Sequence, residues 1–126
     1  MLYLGQPYSH PKSVIREVRY LAGMQACAHF HKENICVFAP IVHWHRVAVH
    51  HKLTTDMDTW RVQCIGMLKR ATAFGMLLLD GWEESKGLRE EWFEACQLDL
   101  PIDRYICHDG EVYWIGEGMP RWSSTP

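Results

Sequence analysis

Residues 74–79, Phe-Gly-Met-Leu-Leu-Leu, carry five apolar side chains without polar alternation. That is the pattern of a strand covered on both faces, which in turn demands helices on both sides of a sheet. Asp80, Gly81 and Trp82 interrupt the run. Leu88, Trp92, Ala95 and Leu98 then recur at helical spacing, behind an opening Ser85 and Gly87. Such a strand–loop–helix junction presents free backbone N–H groups and the positive end of a helix dipole at the carboxyl edge of a parallel sheet, where open α/β folds bind ligands. Glu91 falls about one and a half turns into that helix, within reach of the crevice.

The rest of the chain repeats the strand-then-helix rhythm. Residues 1–4 form a short apolar strand, followed by the turn-rich Gly5-Gln6-Pro7-Tyr8-Ser9-His10-Pro11. A helix is expected over 13–32, with Val14, Val18, Leu21, Ala22 and Ala28 marking its apolar face and Asn34 breaking it. A second strand covers 35–38 and ends at Pro40. Residues 41–59 hold His43, His45, His50 and His51, and read as a loop with at most a short helix. From Trp60, the positions Val62, Ile65, Leu68 and Ala71 mark another helical face. Pro101 stops the Glu91 helix, and Asp109-Gly110 between 104–107 and 111–115 signals a tight β-hairpin. Residues 116–126 read as a tail. This order of elements predicts an α/β three-layer sandwich, mostly parallel, with a C-terminal hairpin.

With 126 residues and 48% hydrophobic side chains, one domain with a proper core is expected over 1–126. The formal charge of −2 supplies no basic field for a nucleic-acid polymer, so a small ligand is favoured. No signal-peptide layout and no apolar run of about 20 residues occurs, so a cytoplasmic protein with no membrane partner is expected. Five cysteines, odd in number, widely spaced and without a Cys-x-x-Cys pair, suit small buried residues in a reducing compartment.

Four motifs in order carry a resemblance: Tyr3-Leu4-Gly5-Gln6-Pro7-Tyr8-Ser9-His10-Pro11; Phe38-Ala39-Pro40-Ile41-Val42-His43; Asp80-Gly81-Trp82 with Ser85-x-Gly87-x-x-x-Glu91-x-x-x-Ala95; and Leu98-x-x-Pro101. Together, over roughly residues 1–107, they resemble the nucleoside 2-deoxyribosyltransferase-like superfamily, which includes the deoxynucleoside 5′-monophosphate N-glycosidases. The nearest likeness is to a small bacterial and phage branch of unknown function. The resemblance implies a flavodoxin-like fold, N-glycosidic bond cleavage or transfer on a nucleoside or nucleotide, no cofactor, and a homodimer or larger assembly.

By that resemblance Glu91 is the nucleophile, attacking the anomeric carbon to give a glycosyl-enzyme. Ser85 matches a position that is serine in the nucleotide hydrolases and contacts the 5′-phosphate. A hydroxyl with free N–H groups at a helix start suits an anion, though an ordinary N-cap serves equally well. Gly87 allows close backbone approach. Tyr8 is expected near the sugar, where its phenol either hydrogen-bonds Glu91 or packs the loop. Ser9, His10 and, more weakly, Arg16 are candidate phosphate contacts, while Pro40, His43 and Trp82 are candidate substrate contacts. Trp44, Trp60 and Trp82 suit base stacking, or a core or interface role.

Two departures bear on activity. Cys64 stands where the superfamily has a second catalytic carboxylate, and Thr72 replaces a further common Asp. A thiol does not reproduce carboxylate acid–base chemistry near neutrality without a perturbed pKa. Activity then requires Asp56, Asp58 or Asp80 to substitute, Asp80 first, as it ends the third strand; a loop-capping role suits Asp80 equally. The alternatives are a catalytically weakened nucleotide binder, and a metal-dependent hydrolase built on His43-x-His45, His50, His51, Asp56 and Asp58. The resembling branch has no metal requirement, and no metal ligand is assigned.

Overall fold

The computed structural model describes residues 1–54, 56–118 and 122, with Met57 described by its backbone alone. Strands β1 (Leu2–Gly5), β2 (Val37–Phe38), β3 (Ala73–Leu77), β4 (Ile102–His108) and β5 (Glu111–Glu117) form one sheet in the order β2-β1-β3-β4-β5. The first four are parallel and β5 returns antiparallel to β4. The arrangement is the flavodoxin-like α/β sandwich expected from the sequence, with its strand order reversing between β1 and β3. In the β4–β5 hairpin, Asp109 and Gly110 have φ of 48° and 81°, the pair of left-handed residues that a two-residue hairpin turn requires.

Helices α1 (Ser13–Lys32) and α2 (Pro40–His51) pack together on one side, and α3 (Met57–Leu68) and α4 (Lys86–Gln97) cover the other. The pleat sorts the strand residues between these sides. Leu2, Leu4 and Leu77 join Ala26 and Phe30 of α1. Tyr3, Phe74 and Met76 join Cys64 and Leu68 of α3 and Leu88, Trp92 and Ala95 of α4. Among the described residues no helix is long and apolar enough to cross a membrane.

The structure corrects several expectations. Residues 40–51 are helical rather than a loop: Pro40 does not merely end β2 but opens α2 at its first turn, where its fixed φ and missing N–H cost nothing. Ile41, His45 and Ala48 form the buried face of α2, a stripe disguised by the histidine. Helix α1 has the expected bounds but the opposite orientation. Tyr20, Gly23, Ala26 and Phe30 face inward, while Val14, Val18 and Leu21 are 62%, 57% and 50% exposed. The inward face combines two large aromatics with two small residues, and so buries more area at closer approach than the valine row would. Helix α3 keeps most of its expected face: Leu68 is buried and Ile65 and Ala71 pack against the same core, whereas Val62 is 80% exposed and Cys64 is buried instead. Strand β3 stops at Leu77, two residues short of expectation. Strand β5 runs through Gly116 and Glu117, which the sequence reading gave to the tail. Residues 119–121 and 123–126 of that tail lie outside the described residues, whereas Trp122 is buried against Trp82 and Trp92.

Candidate functional site

A cavity of about 320 Å³ opens where the strand order reverses, at the carboxyl ends of β1 and β3. Its wall comes from the β1–α1 loop (Gln6, Tyr8, Ser9), the start of α2 (Pro40, Ile41), α3 and its lead-in (Asp56, Asp58, Trp60, Cys64), and the α4 entrance (Glu84 to Leu88, with Glu91).

Glu91 is the centre of one polar cluster. Helix α4 buries Leu88, Glu91, Trp92 and Ala95, so the carboxylate interrupts the apolar stripe itself, 6% exposed. The Tyr3 hydroxyl donates a hydrogen bond to Glu91 Oε2. Burial pushes the Glu91 carboxyl up to about 8, opposed by the Tyr3 hydrogen bond and reinforced by Glu90. Cys64, 2% exposed, lies beside the pair. Its thiol is pushed up to about 12, first by burial and then by Glu91. It is therefore neutral and inert as an acid or base near pH 7.

Tyr8 belongs to a second cluster. Its hydroxyl is 2.7 Å from His45 Nδ1, and His45 Nε2 is 2.7 Å from Glu17 Oε2. The Tyr8 ring stacks on Trp60 at 5.7 Å and 27°. The expected Tyr8–Glu91 bond is thus replaced by Tyr3–Glu91. Tyr3 sits on the pleat face that looks toward α4, whereas Tyr8, past the end of β1, turns toward α2.

Ser85 caps α4, its Oγ accepting from the Leu88 N–H at 3.2 Å, and it lines the cavity with Ser9, Pro40 and Gly87. A Cβ built at Gly87 would meet nothing within 4 Å, so no packing among the described residues requires glycine there.

His10, His43, Asp80 and Trp82 are not on the cavity wall. Asp80 is exposed, and its carbonyl accepts from Arg19 at 3.1 Å; Asp56 and Asp58, not Asp80, reach the cavity. Asp56 also caps α3 by accepting from the Thr59 N–H. His10 Nδ1 accepts from the Lys12 N–H, and its carbonyl accepts from Arg16. His43 is exposed, against Phe38 and Trp44. Trp82 packs edge-on to Trp122 at 5.4 Å, a partner 40 positions away that local sequence does not announce. The histidine set is dispersed, with His45 buried and His43, His50 and His51 exposed. Among the described residues no group of three or more His, Cys, Asp or Glu side chains is placed to hold a metal ion.

Sequence reasoning missed Tyr3 and Glu17 as site residues, and named His45 only as a candidate metal ligand. Signals existed for Tyr3 and for His45. Tyr3 alternates with Leu2 and Leu4 and so must face the other layer, and His45 stands four residues after Ile41 on one helix face.

These features define an α/β protein of flavodoxin-like order whose cavity, at the reversal of strand order, holds a buried carboxylate. The chain belongs to the family described as a domain of unknown function, DUF1937, whose sequence model matches residues 1–105. A comparison with curated proteins gives no match.

Proposed function

We propose that the protein cleaves or transfers the N-glycosidic bond of a nucleoside 5′-monophosphate, with Glu91 as nucleophile. The observation carrying this reading is the position of Glu91: buried, hydrogen-bonded by Tyr3, and on the wall of the same cavity as the α4 entrance. The spacing Ser85-x-Gly87-x-x-x-Glu91 is the one that resembles the 2-deoxyribosyltransferase-like superfamily. In this reading the 5′-phosphate lies against Ser85 and the first N–H groups of α4, where the helix dipole favours an anion. The anomeric carbon then lies toward Glu91, and Trp60, stacked on Tyr8, offers a flat surface to a base. The exposed apolar row of α1 is available for the self-association that the resemblance implies.

The test is release of free base from a panel of ribo- and deoxyribonucleosides and their 5′-monophosphates, followed by chromatography. Monophosphates are expected to react in preference to nucleosides, and Ser85→Asp, which places a carboxylate beside the phosphate, should reverse that preference. Equal turnover of both classes, or a preference indifferent to Ser85→Asp, would remove the phosphate from the reading.

A second reading is favoured by one observation, the neutral Cys64 thiol where the superfamily has a carboxylate. It is a nucleotide-binding protein of weakened activity, recognised by saturable binding of a monophosphate without release of base.

A further inference from the structure

We propose that Tyr8, His45 and Glu17 form a proton relay that activates the water resolving the glycosyl-Glu91 intermediate. The inference rests on the glycosidase reading and assigns that reading its second half-reaction. Tyr8 is part of the cavity wall, and from its hydroxyl the line runs 2.7 Å to His45 Nδ1 and 2.7 Å from His45 Nε2 to Glu17 Oε2. The His45 side chain is 3% exposed and that of Glu17 is 41% exposed. One end of the line is therefore a residue of the cavity wall, and the other is half in water. An ionised Glu17 only accepts hydrogen bonds, so His45 carries its proton on Nε2 and offers the bare Nδ1 to Tyr8. Tyr20 stacks on the imidazole at 4.3 Å and holds its plane.

This is the order of groups that activates a hydroxyl in acyl transfer: hydroxyl, imidazole, orienting carboxylate. Here the hydroxyl carries a proton instead of attacking. Burial foremost raises the Tyr8 phenol, with Glu17 adding to the effect and Arg16 opposing it, so Tyr8 holds its proton until another replaces it.

In the first half-reaction an oxygen of ionised Glu91 bonds the anomeric carbon, and the carbon–nitrogen bond breaks with its electron pair leaving on the base, which takes up a proton from water. In the second, a water oxygen bonds that carbon and the carbon–oxygen bond to Glu91 breaks, returning the pair to the carboxylate. The water proton passes to the Tyr8 oxygen as the Tyr8 proton passes to His45 Nδ1. The imidazolium, paired with Glu17, passes its Nε2 proton through the exposed carboxylate to solvent; Nε2 then takes a proton back by the same route as the Nδ1 proton returns through Tyr8 to cavity water, which restores the resting tautomer. Tyr8 is then a catalytic residue, and His45 and Glu17 act through it. The Cys64 thiol, on the Glu91 side and neutral, does not compete for this task.

The experiment is rapid-mix kinetics with intact-mass spectrometry on the 5′-monophosphate cleaved best in the panel, using the full chain and the variants Tyr8→Phe, His45→Gln and Glu17→Gln. His45→Gln is expected to release one equivalent of base within about threefold of the wild-type rate. It should then stall, with steady-state turnover down ~10²–10⁴-fold and a sugar-phosphate adduct on the protein. Azide, a nucleophile that needs no base, should restore turnover to the stalled variant. Glu17→Gln alters a half-exposed side chain and keeps the fold if His45→Gln does not; it should slow the second phase about tenfold, because solvent screens its charge. Loss of burst and steady state together without an adduct, or turnover like wild type in Tyr8→Phe and Glu17→Gln, overturns the relay and leaves the glycosidase reading standing. A wild-type protein that releases no base from any nucleotide overturns the glycosidase reading and the relay with it.

Discussion

Glu91 and Glu17 stand on opposite sides of the sheet, and they are kept in opposite conditions. Glu91 is buried beside Tyr3 and Cys64, and burial lifts its carboxyl to about 8. Glu17 reaches the cavity only through His45 and Tyr8, with its own oxygens half in water beside Arg46 at 3.6 Å. A dry carboxylate is reactive but costly to ionise, because no solvent shell supports the charge. A wet one is inexpensive to keep charged and weak as a partner, since water screens it. On the proposed reading the covalent role falls to the buried carboxylate and the orienting role to the one that faces solvent.

The largest effect should come from abolishing the dry charge. Glu91→Gln keeps shape and hydrogen bonding but removes the anion that attacks, so base release should fall by about 10³-fold or more, with nucleotide binding retained. Full activity in Glu91→Gln would break the comparison at once, since burial would then have no catalytic purpose.

Stability supplies the second test, and its sign follows from the direction of the shift. The Glu91 carboxyl is raised from an ordinary value near 4.5 to about 8. Its proton therefore stabilises the fold fully below pH ~4.5, and that contribution is lost as pH rises through about 8. The wild type should lose stability against Glu91→Gln across this window, by an amount on the order of a few kcal/mol, and the difference should be flat outside it. Denaturant melts at a series of pH values measure this. A difference unchanged from pH 4 to 9 would mean that Glu91 is solvated in the folded protein.

Tyr3→Phe sharpens the same contrast. The Tyr3 hydroxyl is the group that opposes the burial shift, and a hydrogen bond to a charged group is worth about 1.5–3 kcal/mol. Without it the ionisation of Glu91 should move up by about one unit or more, lowering turnover at neutral pH roughly tenfold and carrying the rising limb of the pH–rate profile with it. A limb that stays in place would show that Tyr3 holds geometry and not charge.

The division between the two sides was only partly legible in the sequence, and the reason differs from element to element. Local chemistry gave α1 its bounds, since Asn34 adopts φ 59° just past its end, and gave the Asp109-Gly110 turn. It also brought Glu91, Ser85 and Gly87 to one cavity, because a short span of one helix and its cap carries all three. What local chemistry does not contain is the choice of partner. Whether Tyr3 or Tyr8 meets Glu91 depends on which layer α4 covers, and Trp82 is taken by Trp122 from beyond β5. Helix α1 offered a valine–leucine row and an aromatic–small row, and the packing of the sheet selected the second. Asp80 looked well placed because the strand was expected to end at it. Once β3 stops at Leu77, the intervening residues carry Asp80 out of the crevice to Arg19.

The smallest effect is expected on the wet side, at Arg46. Its guanidinium is 3.6 Å from Glu17 Oε1 and lies over the Tyr20 ring at 5.3 Å, yet its side chain is 60% exposed. An ion pair in that setting gains little over two solvated ions and costs side-chain entropy. The face of Tyr20 can be covered as well by an apolar stem of similar length. Arg46→Met should therefore change the melting temperature by no more than about two degrees. His45 keeps its own bond to the other Glu17 oxygen, Oε2, so turnover should stay within about twofold of wild type. The outcome that would count against this is a tenfold loss of turnover with the melting temperature unmoved. Glu17 would then depend on Arg46 for its orientation, and the solvent-facing carboxylate would be as firmly held as the buried one.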